Sequence, residues 1–254
     1  MLHVERIAML SDNYVYLLHE PNADLTGVVD PAEAGPILKL LEETGRRLDW
    51  ILSTHHHADH TGGNLALKQA TSCQIVGPKA DQDRIPGIDL ALAEGDLFEF
   101  GDEQALIFDT PGHTRGHISF WFKNSKALFC GDTLFALGCG RLFEGTPETM
   151  WRSLNKFKSM PDDTKVYCGH EYTQSNARFA LTIEPDNQEL TERAVLIEAM
   201  RAKNTPTIPT ELGLERRTNP FLRAHQPAIR RALDMIDASD EAVFAEIRHR
   251  KDRF

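Results

Sequence analysis

Cysteine is scarce: Cys73, Cys130, Cys139 and Cys168 are the four in 254 residues, and no two form a C-x-x-C pair. A disulfide-stapled miniprotein is excluded, and these thiols, scattered through apolar or glycine-rich segments, read as reduced packing residues of a cytoplasmic protein. No apolar run reaches the roughly 18 residues that cross a bilayer, so no membrane partner is expected. The opening Met1-Leu2-His3-Val4-Glu5-Arg6 carries an early acid and no basic segment leading into a long apolar stretch, so no secretory signal is visible and the cytoplasm is the expected location. Positive charge is also short. The 28 lysines and arginines face 38 aspartates and glutamates, and a net charge of −10 repels phosphate backbones, which argues against a nucleic-acid partner. What remains is ordinary globular material, 41% hydrophobic and 26% charged, long enough for one or two domains with real cores.

Up to about Cys168 short apolar runs alternate with turns and a few helices, the texture of a layered α/β domain. Strands are expected at 14–19, 27–30, 50–53, 74–77, 105–109, 118–122, 127–130 and 165–168. Pro36 suits a first helical turn, and Ile37, Leu40, Leu41 and Thr44 then share a face until Gly45 stops the helix. Thr146-Pro147 opens another helix, with Met150, Leu154 and Phe157 as its core face. Beyond about Tyr172 the alternation ends and helices are expected at 188–203, 227–236 and from 240 onward, divided by the proline-bearing stretch 205–210 and by Asn219-Pro220. The expected organisation is a layered α/β domain over residues 1–172 and a helical domain over 173–254.

Eleven histidines are present, and four fall between positions 55 and 60, in Thr54-His55-His56-His57-Ala58-Asp59-His60 directly after an apolar strand. Side chains two apart on extended backbone share a side, so His55 and His57 can converge on one metal ion while His56 points away. Asp59 and His60 fall where the chain turns through Gly62-Gly63 into a helix and can face a second ion. Packing several imidazoles and a carboxylate side by side without a cation would leave repelling or unpaired groups. Three further segments place a polar residue just past a strand: Thr110-Pro111-Gly112-His113, Gly131-Asp132-Thr133 and Gly169-His170. Open sheets gather ligands at the carboxyl ends of their strands, so these sites can meet in one cleft. Nitrogen and oxygen donors suit zinc, with iron or manganese as alternatives. Two divalent ions set against Asp59, Asp132 and one hydroxide keep a surplus positive charge, which favours an oxyanion forming at a carbonyl or phosphoryl centre. His117 reads as a hydrogen-bonding neighbour of a ligand and Cys168 as buried; neither is expected to ligate.

His55, His57, Asp59 and His60, with His113, Asp132 and His170, resemble the metal signature of the metallo-β-lactamase superfamily. The likeness implies an αββα sandwich with a dinuclear site at its mouth. Within that superfamily the chain is most similar to glyoxalase II, the hydroxyacylglutathione hydrolases, through Cys130-Gly131-Asp132-Thr133-Leu134-Phe135, Gly138-Cys139-Gly140-Arg141, Phe143-Glu144-Gly145-Thr146, Gly169-His170-Glu171-Tyr172-Thr173, Asn219-Pro220-Phe221-Leu222-Arg223 and the ending Arg250-Lys251-Asp252-Arg253-Phe254. The resemblance implies that His55, His57 and His113 bind one metal, that Asp59, His60 and His170 bind the other, and that Asp132 bridges them. It implies hydrolysis of S-D-lactoylglutathione to D-lactate and glutathione, the second step of methylglyoxal detoxification, by a metal-bridging hydroxide that Asp59 helps orient. Glutathione is then held by Arg141, Phe143, Tyr172, Arg248 and Lys251. The family more often carries lysine at 141 and tyrosine at 143, so Phe143 lacks a hydroxyl.

The tail agrees independently. Arg248, Arg250, Lys251 and Arg253 outnumber Asp252 within six residues of an acidic protein, with Arg248 and Lys251 on one helix face, suited both to a helix C-terminus and to a peptide carboxylate. A β-lactamase or lactonase would leave that tail without a purpose, and a tRNA-processing phosphodiesterase conflicts with the acidic charge. A persulfide dioxygenase with one iron and a non-catalytic metal- or thiol-binding module are the other readings. The expected partner is a small glutathione thioester, and the expected state a monomer.

Overall fold

The computed structural model describes residues 1–254, which fall into two compact units, Met1–Thr110 with Thr114–Gly131 and Pro111–His113 with Asp132–Phe254. The first unit holds ten strands. β1 (His3–Met9), β2 (Asn13–Glu20), β3 (Leu25–Val29), β4 (Trp50–Leu52), β5 (Gln74–Pro78) and β6 (Leu90–Leu92) form one sheet in that order. β1 to β3 are antiparallel and β3 to β6 parallel. β7 (Leu97–Phe100), β8 (Glu103–Asp109), β9 (Ile118–Phe122) and β10 (Ala127–Gly131) form an antiparallel run. Three helices complete the unit: α1 (Gly35–Thr44), α2 (Ala58–Thr61) and α3 (Asn64–Thr71).

β2 is buried along both faces, which its apolar sequence Tyr14-Val15-Tyr16-Leu17-Leu18 permits. Alternation then divides its side chains. Val15 and Leu17 join Val28, Ile51 and Ile75 in a core closed by Ile37 and Leu41 of α1 and Leu67 of α3. Tyr16 points the other way and meets Phe129 of β10 at 5.7 Å, while Trp50 of β4 meets Phe98 of β7 edge-on at 5.0 Å, so the two sheets pack face to face. The expected stripe on α1 narrows. Ile37 and Leu41 are buried, Leu40 is half-buried, and Thr44 is exposed because its hydroxyl turns back to donate to the Leu40 carbonyl at 2.7 Å.

The second unit contains β11 (Leu134–Phe135) with β12 (Gly138–Cys139), α4 (Pro147–Asn155), β13 (Lys165–Cys168) with β14 (Thr210–Glu211), and α5 (Thr173–Ile183), α6 (Gln188–Arg201), α7 (Leu212–Thr218), α8 (Pro227–Ala232) and α9 (Asp240–Asp252). α4 begins as its sequence requires, with Pro147 in the first turn and the Thr146 hydroxyl accepting from the Thr149 N–H. Its buried face meets α9 through Trp151 and Phe244 at 5.6 Å. Leu137, Ala177, Ala180, Leu190, Ala194 and Ile197 form a separate core between α5 and α6.

This partition does not follow the change of texture near residue 172. The β11–β12 hairpin belongs with the helices because helix side chains satisfy its backbone. Glu215 of α7, fully buried, accepts from the Leu137 N–H at 2.8 Å, and Asn219 donates to the Phe135 and Gly138 carbonyls at 3.1 and 3.0 Å. Arg193 of α6 pairs with the same Glu215 and donates to Thr218 at 2.6 Å. All four cysteines are free and buried, and burial pushes the Cys139 thiol up to about 11, leaving it inert as a nucleophile. No helix is long and apolar enough to cross a membrane.

Candidate metal centre

The parallel strands β3, β4 and β5 end side by side, with Val29 opposite Leu52 and Leu52 opposite Val76, so the residues that follow them lie together. After β4 the chain bends at Thr54 and His55 and delivers His55, His56 and His57 ahead of α2. Asp59 and His60 lie within the single turn of α2, so the turn into helix falls earlier than Gly62-Gly63. His55 Nε2 stands 3.1 Å from His57 Nδ1, and His60 Nε2 stands 3.5 Å from Asp59 Oδ2. His56 reaches Asp81 through Nδ1 at 3.1 Å, its ring 4.9 Å from that of His57 and 6.5 Å from that of His55.

Three residues that sequence reasoning passed over set up this group. Asp30, just beyond β3, accepts from the Thr54 N–H and hydroxyl, both at 2.7 Å, and lies 3.1 Å from His60 Nδ1. The Thr54 hydroxyl spends its hydrogen on Asp30, so at 3.0 Å from His55 Nδ1 it acts as acceptor. Both imidazoles are thereby held with hydrogen on Nδ1 and a lone pair on Nε2, the form a metal needs. Asn13 donates to Asp59 Oδ2 at 3.1 Å and to its carbonyl at 3.2 Å. Asp30 has φ of 50°, a conformation that costs a non-glycine residue about 1–3 kcal/mol and is held here by the hydrogen bonds it accepts. The rule that pointed to His113 and Asp132 would also have pointed to Asp30, at the end of the strand expected at 27–30.

His117 is buried, stacks on the His55 ring at 4.9 Å and 22°, and shares a 2.8 Å hydrogen bond with Thr110 Oγ1 through Nδ1. It thus meets a candidate ligand by ring stacking, while its Nδ1 hydrogen bond goes to Thr110. Gly131 has φ of 44°, and a Cβ there would overlap Thr54 Oγ1, so the position before Asp132 must be glycine.

In the second unit Asp132 Oδ2 lies 3.3 Å from His113 Nε2 and 3.4 Å from His170 Nε2. His113 Nδ1 donates to the Arg141 carbonyl at 2.9 Å, which again leaves Nε2 as the lone-pair nitrogen. A lone pair aimed at a carboxylate oxygen is repulsive unless a cation lies between them. These separations exceed the roughly 2.7–2.9 Å of a charge-assisted hydrogen bond. They match instead the edge of a coordination tetrahedron, since two donors about 2.0–2.1 Å from one ion stand about 3.3–3.4 Å apart. The donor set of imidazole nitrogens and carboxylate oxygens therefore fits divalent metal ions in both units.

Around His113 and His170 lie the residues expected to bind substrate. Tyr172 stacks on His170 with ring centroids 4.7 Å apart and 2° between planes, and Phe143 lies 5.1 Å from the His113 ring with 63% of its surface exposed. Arg141 is exposed. Lys251 reaches Ser175 Oγ and carbonyl at 3.2 and 3.3 Å and lies over the Phe179 and Phe254 rings. Burial, then the charges of Arg248 and Arg141, bring its ammonium down to about 8. Arg248 is 4% exposed, donating to the Cys139 carbonyl and Asp252 at 3.0 Å each with its guanidinium over Phe221. Arg250, by contrast, pairs with Glu246 on the surface of α9.

Comparison with known proteins places these features in context. The family model described as "Metallo-beta-lactamase superfamily" matches residues 12–170, and that described as "Hydroxyacylglutathione hydrolase C-terminus" matches residues 171–254. A hydroxyacylglutathione hydrolase of Methylococcus capsulatus is 56% identical over 254 residues, covering 100% of this chain and 99% of its own. Among solved structures, ETHE1 from Myxococcus xanthus superposes with a TM-score of 0.69 at 22% identity, covering 97% of this chain and 90% of its own, which speaks to the fold alone. TTHA1623, solved in a di-iron-bound form, gives a TM-score of 0.61 at 26% identity over 87% of this chain and all (100%) of its own.

Proposed function

This chain belongs to the hydroxyacylglutathione hydrolase family of the metallo-β-lactamase superfamily, and from that premise we propose that it hydrolyses S-D-lactoylglutathione to D-lactate and glutathione, the second step of methylglyoxal detoxification, as a cytoplasmic monomer. His55, His57 and His113 would hold one divalent ion, Asp59, His60 and His170 the other, and Asp132 would serve both; zinc suits these donors, as would iron or manganese. Such ions, when bound, supply Lewis acidity, making water nucleophilic near neutral pH and stabilising the charge that grows on the thioester oxygen.

The chain's own residues do the rest. Asp30 and Thr54 fix the tautomers of His60 and His55, and the Arg141 carbonyl fixes that of His113. Asp59, steadied by Asn13, orients the attacking water by accepting a hydrogen bond from it. The leaving thiol has an ordinary pKa near ~8.5, so it departs as thiolate without a strong general acid. Lys251, Arg141 and Arg248 gather positive charge for the glutathione carboxylate, over the helical segment 173–254 and the turn after β12, while Tyr172 offers its phenol and Phe143 an apolar face.

The observation that carries this reading is Asp132 Oδ2 standing at ligand spacing from both His113 and His170. The test is release of free thiol from S-D-lactoylglutathione, followed before and after chelation and again on adding zinc. Loss and recovery of the rate is the expected result; an undiminished rate in rigorously metal-free protein overturns it.

A further inference from the structure

His56 is the one histidine of the 55–60 cluster that the metal chemistry leaves unused, and it is held on both ring nitrogens. Nδ1 lies 3.1 Å from Asp81 Oδ2, and Nε2 lies 3.2 Å from Arg84 Nη1. Arg84 closes the ring of contacts by donating Nε and Nη2 to Asp81 Oδ1 at 3.1 and 2.5 Å. A guanidinium can only donate, so His56 Nε2 is the acceptor and Nδ1 carries the hydrogen given to Asp81. Each of the three side chains thus touches the other two with donors and acceptors matched.

The arrangement is built rather than incidental. Asp81 and Arg84 lie in the short 3-10 turn Lys79–Arg84 directly after β5, the parallel neighbour of the strand that delivers His56. Asp81 is 4% exposed, and inside that turn it leaves helical geometry, with φ of −121° and ψ of 17°. Gly116 faces it, and a Cβ at that position would overlap the Asp81 carboxyl. A carboxylate buried this deeply needs partners to offset its lost hydration, and His56 and Arg84 are those partners.

We propose that Asp81 and Arg84, acting through His56, are positioning residues for the metal ligands His55 and His57. This rests on the hydrolase reading above, which makes those histidines ligands. The His56 ring packs beside that of His57, with centroids 4.9 Å apart, and follows His55 directly in the chain, so fixing it from the Asp81 side restricts where both neighbours can point. The segment between β4 and α2 belongs to no sheet ladder, so the side-chain clamp replaces what a strand partner would supply.

The test is zinc affinity, measured by competition with a chromogenic chelator, together with the melting temperature of metal-free protein. His56→Leu and Arg84→Met should weaken zinc binding about 10- to 100-fold, the usual effect of removing a partner that orients a ligand. His56→Gln keeps one donor for Asp81 and one acceptor for Arg84 and should stay within about threefold of the parent, a rescue that bulk or packing alone does not predict. Should His56→Leu fail to fold, Arg84→Lys serves in its place, since one ammonium cannot hold Asp81 and His56 in the same fork. Zinc bound by His56→Leu or Arg84→Lys as tightly as by the parent overturns the clamp, as does a His56→Gln loss equal to that of the leucine variant. A parent protein that binds no zinc overturns the hydrolase reading instead.

Discussion

Lys251 gives the hydrolase reading its sharpest pH signature. Its ammonium sits near 8 because burial and the neighbouring Arg248 and Arg141 disfavour the charge, with Asp252 the one acid opposing them. At pH 7 it is protonated by about ten to one. If that charge meets the glutathione carboxylate, kcat/KM, which reports groups of the free enzyme, is flat below pH 8 and falls about tenfold per unit above it. The fall ends where the remaining contacts carry binding alone. A hydrogen bond to a charged group contributes about 1.5–3 kcal/mol, so the total drop is roughly 10- to 150-fold. Lys251→Met should show a similar loss at pH 7, carried by KM, and no descending limb near pH 8. Initial rates between about pH 6.5 and 9.5, corrected for spontaneous thioester hydrolysis, decide the matter. A parent profile flat to the upper end, or a methionine variant with the same descending limb, refutes the assignment. Stability moves oppositely. The folded chain holds this proton less tightly than the unfolded chain, so the group destabilises the fold below pH 8, and the penalty vanishes as pH rises from 8 to 10.5. Lys251→Met should therefore melt higher than the parent at pH 7, a trade of stability for function.

Asp132→Ala removes the oxygen that stands against both His113 and His170, so elemental analysis should find metal lost together with turnover; full metal content with normal turnover refutes the shared ligand. Phe143→Tyr restores a hydroxyl beside His113 and should raise kcat/KM about 3- to 10-fold, the worth of one hydrogen bond, with unchanged kinetics as the contrary result. Arg193→Met strands the buried Glu215 carboxylate and should cost about 3–5 kcal/mol in a urea melt, whereas a loss under about 1 kcal/mol would mean the pair is solvated.

The candidate ligands could be named from the sequence because their signal is local: four histidines and an aspartate within six residues stand out without knowledge of the fold. Asp30 escaped because it was read as the last residue of a strand, although the strand-end rule reaches it; its partners, 24 and 30 positions away, come to it through the parallel pairing of β3 with β4. Asp81 escaped because its partner His56 comes to it only across β4 and β5. α6, α8 and α9 announce themselves by capping residues or an initial proline, with α8 ending at Ala232 rather than 236. α5 has no side-chain cap, and its buried face is largely alanine, threonine and asparagine with Phe179 and Ile183, so it offers no strong apolar period. β1 was missed for a related reason: as an edge strand with exposed and half-buried positions it lacks the apolar run that marks β2.

The buried Glu215 and Asn219 give the chain an architectural constraint of another kind. They close off the N–H of Leu137 and the carbonyls of Phe135 and Gly138, in the short stretch that separates Asp132 from Arg141. A recombinant chimera that transplanted a foreign helical tail after residue 172 would strip those backbone groups of their partners and slacken the loop bearing a candidate ligand. Anyone retargeting this scaffold toward other thioesters must therefore carry that glutamate and asparagine along with any new tail.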